Sequence, residues 1–335
     1  MAKKKIRVAI NGFGRIGRAA FKIMLDSQKY EVVAINDLAP VESLAYLLKH
    51  DTVYGIYPKK VKHSGDSIVV NGKKYNITSN PDPKKLPWKK LKVDVVLECT
   101  GFFVKDGAAK AHIQAGAKKV IISAPAKGGG GVDTFLLGVN EDEYGKQKVI
   151  SNASCTTNCV APVAQVLVSK FGVAKAMMTT IHSYTGGQKL VDAPHKDPRR
   201  GRSAAENIVP TSTGAAIATA KVIPELEGLF DGLSVRVPTP VVSLSDFTFL
   251  LKKDVTVKQV NNALIAASKS KKLKGVLGVT DEPVVSSDFI GDPRSSIVDL
   301  SLTKVVGGNM LKIISWYDNE WGYSARLVEM IDQIN

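Results

Sequence analysis

The feature that most constrains the fold is a glycine-rich turn near the beginning of the chain. Gly12, Gly14 and Gly17 follow an apolar run that starts at Ile6, and their spacing is G-x-G-x-x-G. A helix-forming stretch comes next, and a second apolar run ends at Asp37, 20 residues after Gly17. This order predicts a strand, a tight turn, a helix and a second strand, the unit that begins many parallel α/β sheets.

Each position of this turn has a physical task in binding a dinucleotide. Gly12 permits the sharp turn, Gly14 lets a pyrophosphate approach the backbone, and Gly17 lets the helix and the strand pack closely. Free N–H groups and the helix dipole stabilise phosphates at a helix N-terminus. Asp37 can accept hydrogen bonds from ribose hydroxyls. The alternative is a simple glycine turn whose aspartate caps the next segment, but the order of all four parts favours dinucleotide binding.

The arrangement of apolar runs changes near residue 152, which indicates two domains. Before it, apolar runs alternate with a helical stretch at 106–117, which predicts a parallel sheet covered by helices on both faces. After it, a helical stretch at 155–172 leads into long β-rich runs that predict an antiparallel or mixed sheet. The expected fold is therefore α/β: a Rossmann-type, doubly wound parallel-sheet domain, followed by an α+β domain with a largely antiparallel or mixed sheet.

The expected elements have approximate positions. Beyond the glycine turn, strands of the first half are expected at 93–101, 118–125, 134–140 and 148–152. In the second half, β-rich runs lie at 175–185, 233–253 and 296–321, and helical stretches at 256–270 and 323–334. The chain of 335 residues is long enough for two domains of this kind.

The net charge of +15 raises the question of nucleic-acid binding. Residues 1–152 contain 26 Lys and Arg against 14 Asp and Glu, whereas residues 153–335 contain 20 against 17. The excess lies in scattered lysines, with no arginine-rich stripe interleaved with aromatic residues. This pattern favours a solvated, lysine-rich surface that attracts anionic small molecules over a dedicated nucleic-acid site.

Membrane and secreted classes are also disfavoured. The sequence has no uninterrupted apolar run of about 18 residues, and its N-terminal stretch lacks the apolar segment and cleavage site of a signal peptide. We therefore expect a cytoplasmic protein that does not bind a membrane. Three cysteines, Cys99, Cys155 and Cys159, are too few for a disulfide framework and are expected to be thiols.

Cys155 lies in the stretch SNASCTTNC (151–159), among small hydroxyl and amide residues. It is expected at the N-terminus of the first helix of the second domain, where N–H groups and the dipole stabilise a thiolate. Such a thiol is a candidate nucleophile. Cys159, one turn further along, is expected to be a packed small residue, and a disulfide between the two has poor geometry. No cluster of Cys and His with ligand spacing predicts a metal site.

A nucleophilic cysteine needs a base, and His182 is the best placed of the five histidines. It lies at the end of a β-rich run, where an irregular segment begins, so that rigid support is combined with access. The sequence alone leaves open the alternative of a core histidine that is hydrogen-bonded to backbone. His195, in the charged stretch HKDPRRGR, is expected at the surface.

Along its whole length the sequence resembles one family, the phosphorylating glyceraldehyde-3-phosphate dehydrogenases. The resemblance rests on INGFGRIGR, ECTGFF, IISAPAKGG, ASCTTNC, IHSYT, PTSTGAA, RVPTPVVSLSDF and SWYDNEWGYS, in that order. It implies an NAD-dependent enzyme that converts D-glyceraldehyde 3-phosphate and inorganic phosphate into 1,3-bisphosphoglycerate. Cys155 would attack the aldehyde with His182 as the base, and a thioester would form by hydride transfer to NAD and then react with phosphate.

The resemblance also implies roles for individual residues. The substrate's own phosphate would be held by Thr185, Arg200 and Arg236. The attacking phosphate would be held by Ser154, Thr156, Thr213 and Gly214. The cofactor would be contacted by Gly12, Gly14, Arg15, Ile16, Gly17, Asp37, Ser123 and Asn319. Taken singly, RRGR (199–202) could be a solvated loop and TSTG (211–214) an ordinary turn or cap, but the family order favours anion binding.

Departures from the family pattern leave the catalytic groups in place. Gly186 and Gly187 stand where an Asn-Asp pair is commoner, Ile217 where a lysine is usual, and Cys99 where a serine is common. The stretch 79–83 lacks an arginine that often contacts adenine, which puts one secondary adenine contact in doubt.

The resemblance further implies an organisation and leaves two other functions open. An NAD-binding domain is expected at 1–152, with a C-terminal helix at about 320–335 packed back on it, and a catalytic domain at 153–319. A homotetramer is expected, with contacts that include 183–206. The alternatives are a dehydrogenase of erythrose 4-phosphate and a protein that binds RNA or another polyanion through its basic first domain. A cysteine hydrolase is disfavoured because it leaves the glycine turn unexplained.

The residues near Asp37 predict NAD in preference to NADP. A carboxylate suits the free 2′-hydroxyl of NAD and repels the 2′-phosphate of NADP. In members of the family that accept NADP, a small polar residue and a serine tend to stand where this chain has Leu38 and Pro194. Neither of these two side chains can donate a hydrogen bond to a phosphate.

Overall fold

A computed structural model describes residues 4–335 and divides them into two units. The first, here called the N-unit, comprises the described residues up to Phe135 together with Asp142–Ala153 and Ser324–Asn335. The second, here called the C-unit, comprises Leu136–Glu141 and Ser154–Tyr323.

The N-unit contains short strands and three helices before residue 154 in its described part. Its strands are β1 (Ile6–Asn11), β2 (Tyr30–Asn36), β3 (His50–Asp51), β4 (Gly55–Ile56), β5 (Val61–Ser64), β6 (Ser67–Val70), β7 (Lys73–Thr78), β8 (Val95–Glu98), β9 (Lys119–Ile122), β10 (Asp133–Thr134) and β11 (Val149–Ser151). Its helices are α1 (Arg15–Leu25), α2 (Val41–Lys49) and α3 (Ala111–Gln114).

Nine strands of the described N-unit form one sheet, in the order β10-β11-β9-β8-β1-β2-β7-β6-β5. Neighbours from β10 to β7 are parallel, and β6 and β5 add an antiparallel edge. Val8, Ile10, Val96 and Val120 on the inner strands are 0% exposed, because both faces of these strands are covered. The predicted parallel sheet and its strand, turn, helix and strand at the glycine turn are thus confirmed. The edge formed by β5 to β7 was not predicted.

The strand expected at 134–140 is wrong for most of its length. β10 ends at Thr134, and the chain then turns. The backbone N–H groups of Val139 and Asn140 donate to the carbonyl of Leu136 at 3.1 and 3.2 Å. The side-chain Oδ1 of Asn140 accepts the N–H of Leu136 at 2.9 Å. Asn140 therefore closes an apolar run into a turn by bonding to the backbone from both its main chain and its side chain.

The C-unit contains the remaining strands and most of the remaining helices. Its strands are β12 (Val173–Ser183), β13 (Val209–Ser212), β14 (Phe230–Val237), β15 (Ser243–Leu251), β16 (Leu277–Thr280), β17 (Ser296–Asp299), β18 (Lys304–Val306) and β19 (Met310–Tyr317). Its helices are α4 (Cys155–Phe171), α5 (Ala215–Ala220) and α6 (Val257–Lys269). Helix α7 (Trp321–Ile334) begins in the C-unit, and its residues from Ser324 onward belong to the N-unit.

The C-unit strands form a mixed sheet, as predicted. The order is β13-β14-β12-β15-β19-β17-β16, with β18 paired to β19. β12 and β14 are parallel, as are β16 and β17, and the other neighbours are antiparallel. In β15 the residues alternate between buried and less buried, which is the pattern of a strand covered on one face.

The two faces of the C-unit sheet differ in their surroundings. Phe247 and Phe249 point to the covered face, are 0% exposed and stack with ring centroids 5.7 Å apart. Met177, Leu233 and Met310 are 66%, 44% and 44% exposed. Apolar side chains thus stay open to solvent on strands of a well-formed sheet.

Helix α7 is anchored within the N-unit by polar contacts as well as by its apolar face. The hydroxyl of Tyr30 donates to the carbonyl of Val328 at 3.4 Å, and Lys29 pairs with Asp332 at 2.6 Å. None of the helices formed by residues 4–335 is long and apolar enough to cross a membrane.

Candidate active site and cofactor cavity

The N-terminus of α4 holds Cys155. Ser154 is the N-cap, and its Oγ accepts the N–H of Thr157 at 3.1 Å, so that the helix begins at Cys155 as predicted. Thr156 and Asn158, the polar neighbours in sequence, are only 4% and 3% exposed. Cys155 itself is half-buried, and it therefore adjoins polar residues that are more deeply buried than it is.

His182 lies beside Cys155 near the end of β12. Its Nε2 is 3.5 Å from Cys155 Sγ, within hydrogen-bond distance for sulfur, and the residue is 3% exposed. Its Nδ1 lies 2.7 Å from the carbonyl oxygen of Ser183 and 2.7 Å from Nη1 of Arg236. Nδ1 can donate to the carbonyl or accept from the guanidinium, but one nitrogen cannot do both, so the tautomer decides which bond is made.

Arg236 reaches His182 because of strand register. β14 and β12 are parallel neighbours, and Arg236 is paired with His182. The Nη1 of Arg236 also donates to the carbonyl of Ser183 at 3.0 Å. Its Nε–H is buried and has no hydrogen-bond partner among residues 4–335. A half-buried guanidinium with an unpaired N–H is suited to receive an anion.

Burial controls the protonation of the cysteine and the histidine. Burial, and then the charge of Arg236, lowers the pKa of His182 to about 3, so its imidazole is neutral at pH 7. Burial raises the pKa of the Cys155 thiol, although Arg236 and Thr156 act in the opposite direction. The expected stabilisation of the thiolate by backbone N–H groups at the helix N-terminus is present, but burial has the larger effect, so the pKa is raised.

Tyr317 supports this site and was missed by sequence reasoning. Its hydroxyl lies 2.9 Å from Thr156 Oγ1 and 2.8 Å from Thr180 Oγ1. Its ring meets that of His182 edge to face, with centroids 6.1 Å apart. Tyr317 is 1% exposed, so it holds the imidazole from one side. The available signal was a tyrosine in an apolar strand pattern, whose buried hydroxyl needs a partner.

Asn319 is linked by hydrogen bonds to the residue that follows His182. Its Oδ1 accepts from the hydroxyl of Ser243 at 2.9 Å, and that hydroxyl oxygen accepts the N–H of Ser183 at 3.1 Å. The hydroxyl of Ser183 donates to the carbonyl of Val242 at 2.6 Å. Val242 has φ +67°, a strained conformation for a β-branched residue. Such strain is retained where surrounding bonds over-determine the backbone.

Arg200 is fixed by the loop around it. Its Nε donates to Thr211 Oγ1 at 2.8 Å, and its Nη2 donates to the carbonyl of Ser212 at 3.1 Å. Its positive charge contributes to the lowered pKa of His182. The stretch RRGR therefore begins with an ordered 3₁₀ turn and is not a freely solvated loop. The charge of its Arg200 acts on the pKa of His182.

The other residues expected to bind anions lie in loops of the C-unit. Thr185 is exposed, and its N–H donates to Gln188 Oε1 at 3.3 Å. Gly214 is the N-cap of α5, and the hydroxyl of Thr213 accepts the N–H of Ala215 at 3.2 Å. The bond from the Ala215 N–H to the Thr213 hydroxyl spans two residues and is not a helix cap, so the turn alternative describes the Thr213 side chain in this structure.

The glycine turn joins β1 to α1 and borders a cavity of about 540 Å³, here called the N-unit cavity. A Cβ on Gly12 would lie 2.8 Å from backbone atoms of Cys99 and Thr100, and one on Gly17 would lie 2.1 Å from the Gly12 carbonyl oxygen. In the described residues, a Cβ on Gly14 would meet no atom within 4 Å. Packing therefore requires glycine at the first and third positions. The second leaves open space where a phosphate can approach the start of α1.

Asp37 lies on the wall of the N-unit cavity with its carboxylate held in place. Oδ2 accepts the N–H of Phe13 at 2.7 Å, and Oδ1 accepts the N–H of Ala39 at 2.9 Å. Each oxygen keeps a lone pair for a hydroxyl donor. Leu38, next along the wall, is 62% exposed. The rest of the lining is Asn11, Gly12, Gly14, Asn36, Asn80, Pro81, Cys99, Thr100, Phe102 and Phe103. This mixture of apolar walls and a few polar groups fits an adenosine moiety.

The other cofactor residues expected in the N-unit have defined positions. Arg15 Nη1 pairs with Asp51 Oδ2 at 2.8 Å, and its guanidinium lies 5.5 Å from the ring centroid of Tyr54. Ile16 is half-buried in the first turn of α1. Ser123 follows β9 and is half-buried.

Two further expectations have different outcomes. Cys159 is 0% exposed, with Sγ 3.6 Å from Ser296 Oγ, and is a packed small residue as predicted. His195, expected at the surface, is half-buried, and its Nδ1 accepts the N–H of Asp197 at 2.9 Å. A search of residues 4–335 finds no group of three His, Cys, Asp or Glu that could hold a metal ion.

Comparison with known proteins gives a consistent result. Residues 6–106 match the family model of the glyceraldehyde 3-phosphate dehydrogenase NAD binding domain, and residues 154–319 match that of its C-terminal domain. The chain is 52% identical over 333 residues to glyceraldehyde-3-phosphate dehydrogenase of Zymomonas mobilis, with 98% of each chain covered. It is 54% identical over 331 residues to that of Priestia megaterium (98% of each) and 52% over 327 residues to glyceraldehyde-3-phosphate dehydrogenase 1 of Bacillus subtilis (97% of each).

Proposed function

The chain belongs to the glyceraldehyde-3-phosphate dehydrogenase family, and from this premise we propose how its own residues carry out the reaction. The protein is an NAD-dependent oxidoreductase that converts D-glyceraldehyde 3-phosphate and inorganic phosphate into 1,3-bisphosphoglycerate. The observation that carries the assignment of residues is the pair of Cys155 and His182, whose Sγ and Nε2 atoms are 3.5 Å apart.

In the first step, Cys155 Sγ attacks the carbonyl carbon of the aldehyde, and the thiol proton passes to His182 Nε2. The imidazole of His182 is neutral at pH 7 and so is available to accept this proton, although burial and the charge of Arg236 lower its pKa and weaken it as a base. In the accepting tautomer Nδ1 carries a proton and donates to the carbonyl of Ser183. The proton then passes to the former carbonyl oxygen. The new carbon–sulfur bond and the new hydroxyl define a thiohemiacetal.

His182 acts a second time during oxidation. Its Nε2 takes the hydroxyl proton of the thiohemiacetal while the carbon–hydrogen bond breaks. NAD, when bound, supplies the acceptor for the hydride. The product on Cys155 is a thioester. Attack of a phosphate oxygen on its carbonyl carbon forms the acyl phosphate, and the sulfur of Cys155 leaves with the bonding electrons.

The guanidinium groups near His182 receive the substrate's phosphate in this proposal. Support comes from the buried, unpaired Nε–H of Arg236 and from the charge of Arg200, which reaches His182. Both charges lower the pKa of His182, so a bound phosphate dianion would offset them and raise the basicity of the imidazole. Substrate binding thereby strengthens the base. Thr185 completes this proposed site, and the attacking phosphate is assigned to Ser154, Thr156, Thr213 and Gly214.

The cofactor is assigned to the N-unit cavity. Support comes from the open space at Gly14 and from the fixed carboxylate of Asp37. The proposed contacts are Gly12, Gly14, Arg15, Ile16, Gly17, Asp37 and Ser123, together with Asn319 for the nicotinamide carboxamide. We accordingly assign residues 1–152 to an NAD-binding domain with the helix at 320–335 packed on it, and residues 153–319 to a catalytic domain.

We also propose that the protein is a cytoplasmic homotetramer. The exposed apolar side chains on the C-unit sheet, such as Met177 and Leu233, support assembly, since large apolar side chains clustered at a surface commonly mark an interface. Light scattering of the purified protein should give four times the chain mass of 36.0 kDa. A mass equal to one chain would refute the tetramer.

The activity is tested by following reduced cofactor at 340 nm. We expect absorbance to rise with glyceraldehyde 3-phosphate, NAD and inorganic phosphate, and to stop at a small burst when phosphate is omitted. Neither alternative function is favoured by the comparisons. A faster, phosphate-independent rate with erythrose 4-phosphate, or RNA binding that persists at saturating NAD, would contradict the assignment.

A further inference from the structure

A cluster of buried polar side chains lies in the N-unit, outside the residues assigned above. Glu98, at the end of β8, is 1% exposed and stands at its centre. Its Oε2 accepts from Asn11 Nδ2 at 2.6 Å and from His112 Nε2 at 2.9 Å. Its Oε1 accepts from the backbone N–H of Thr100 at 2.8 Å and from the Thr100 hydroxyl. Four donors therefore converge on one buried carboxylate.

The positions of the protons in this cluster are determined by its members. The indole N–H of Trp88 donates to His112 Nδ1 at 2.9 Å. An indole nitrogen is only a donor, so Nδ1 is unprotonated and the ring proton is on Nε2. Asn11 cannot reverse its amide, because its Oδ1 accepts from Asn36 Nδ2 at 2.7 Å. Glu98 Oε2 consequently faces two fixed donors, Asn11 Nδ2 and His112 Nε2, and Oε1 faces a third, the backbone N–H of Thr100.

One arm of the cluster reaches the N-unit cavity through Thr100. The hydroxyl oxygen of Thr100 accepts the N–H of Phe102 at 3.1 Å while its proton points to Glu98. Thr100 and Phe102 both line the cavity. The shape of this part of the wall therefore depends on the carboxylate behind it.

A second arm reaches the cavity through Asn11 and Asn36. Asn36 Oδ1 accepts the N–H of Asn80 at 3.0 Å, and Asn36 Nδ2 donates to the carbonyl of Asn80 at 3.0 Å. Thr78 donates its hydroxyl to the same Oδ1 at 3.0 Å. Asn80 is followed by Pro81, and both line the cavity. Asn36 therefore holds the backbone of Asn80 by two bonds, and Asn36 is in turn bonded to Asn11.

We propose that Glu98 is a positioning residue for the cofactor: it ties the cavity stretches at 99–103 and 80–81 to one buried carboxylate and so sets the affinity for NAD. The side chain of Glu98 is 0% exposed, so it does not touch the cofactor and acts through Thr100 and Asn11. The inference rests on the proposed function, which assigns the N-unit cavity to NAD. The inference also accounts for His112 and Trp88: the indole N–H of Trp88 keeps the imidazole proton on Nε2, which donates to Glu98.

The substitution Glu98→Gln tests the effect of the Glu98 carboxylate on the affinity for NAD. Its amide NH₂ would face either the fixed N–H of Thr100 or the donors of Asn11 and His112. The backbone N–H of Thr100 cannot accept at all, and Asn11 or His112 could accept only by breaking its bond to Asn36 or Trp88. The Thr100 hydroxyl can turn to accept, but the N–H of Thr100 then stays unpaired. A buried donor left unpaired is costly, and the strain falls on both cavity stretches. We expect the dissociation constant for NAD to rise about 10-fold or more, while kcat at saturating NAD is retained.

The test compares NAD binding and turnover in the full-length protein. Dissociation constants are measured by calorimetry for the wild type, for Glu98→Gln and for Glu143→Gln, which removes an exposed carboxylate from the same unit as a control. Weaker binding by Glu98→Gln alone, with kcat retained, supports the inference. Unchanged binding overturns it, and so does a loss of kcat at saturating NAD as large as the loss of affinity, which indicates a general structural role.

A second pair of variants covers the case in which Glu98→Gln does not fold. His112→Gln keeps a donor for Glu98 and an acceptor for Trp88, whereas His112→Leu removes both. We expect His112→Gln to restore most of the NAD affinity that His112→Leu loses, and equal affinities in the two would overturn the inference. A wild type that neither binds nor reduces NAD would instead refute the proposed function, and the inference with it.

Discussion

His182 in the C-unit and His112 in the N-unit are both buried histidines next to an ionisable partner, yet their ring nitrogens face different groups. His112 receives the Trp88 indole N–H on one nitrogen and donates to Glu98 with the other. Each of these bonds has one possible direction. His182 faces the Cys155 thiol, which can lose its proton, and on the other side both a donor and an acceptor, Arg236 Nη1 and the Ser183 carbonyl.

This difference shows that burial alone does not identify a catalytic histidine. His112 is 0% exposed and His182 is 3% exposed. What separates them is the set of partners on the ring nitrogens. A histidine between an indole donor and a carboxylate acceptor is suited to position other groups, whereas the histidine beside a thiol is the one that we propose as the proton carrier.

The largest expected effect tests the two cysteines of α4 as a matched pair. Cys155→Ala should lower kcat by at least about 10⁴-fold, because no other group supplies the covalent intermediate. Cys159→Ala, one turn away on the same helix, should keep its turnover. Iodoacetamide should label Cys155 first, because the charge of Arg236 favours its thiolate, whereas Cys159 is 0% exposed and burial and then Glu98 raise the pKa of Cys99 to about 12. Retained activity in Cys155→Ala would refute the proposed mechanism.

The next effect concerns the base. His182→Asn should lower kcat by about 10²–10⁴-fold, the usual cost of losing a general base, and leave NAD binding unchanged. His63→Asn, at an exposed position on β5, provides the control. The measurement is steady-state kinetics at saturating substrate together with NAD calorimetry. Near-native turnover in His182→Asn would place His182 with His112 among the histidines that only position their neighbours.

Sequence and structure agree where a signal is local. The glycine turn, α4 and the end of β12 each depend on residues close together in the chain, and all lie where the patterns predict. The Glu98 cluster could not be predicted, because Asn11 and Glu98 are 87 positions apart and meet only since β1 and β8 are neighbours in the sheet. The edge strands β5 to β7 were not predicted because each is a short run with few apolar residues: VKHS, SIVV and KKYNIT.

The pKa of Cys155 shows a different limit of sequence reasoning. A helix N-terminus is visible in the sequence and favours the thiolate, but the degree of burial is set by packing from distant strands. Thr156, for example, is covered by Tyr317, which follows it by 161 positions. The favourable effect of the helix N-terminus was predicted from the sequence, but the larger effect of burial raises the pKa of Cys155.

A smaller effect follows from Arg236. Its charge lowers the pKa of Cys155, against the larger effect of burial. Arg236→Met removes that charge, so the thiol pKa should rise further and the thiolate fraction at a given pH should fall. Alkylation by uncharged iodoacetamide increases with pH as the thiolate forms, and its pH profile should move to higher pH, with a rate at pH 8 about 3- to 10-fold lower. Arg199→Met, at an exposed position, is the control. An unshifted profile would contradict the assigned charge effect.

The smallest expected effect concerns the choice between NAD and NADP, and it tests whether the fixed carboxylate of Asp37 determines that choice. Asp37 is held by the N–H groups of Phe13 and Ala39, so its carboxylate cannot swing away from an incoming 2′-phosphate. Leu38, 62% exposed on the same wall, offers that phosphate no donor.

We expect the wild type to prefer NAD by kcat/KM. A Leu38→Thr, Pro194→Ser double variant should reduce the ratio of the two kcat/KM values by about 10-fold or less, because the repulsion from Asp37 remains. Leu38→Thr alone should account for part of the change, and Leu38→Ala, which adds space without a hydroxyl, for less. Equal efficiency with both cofactors in the wild type would show that a fixed carboxylate at this position does not decide the choice.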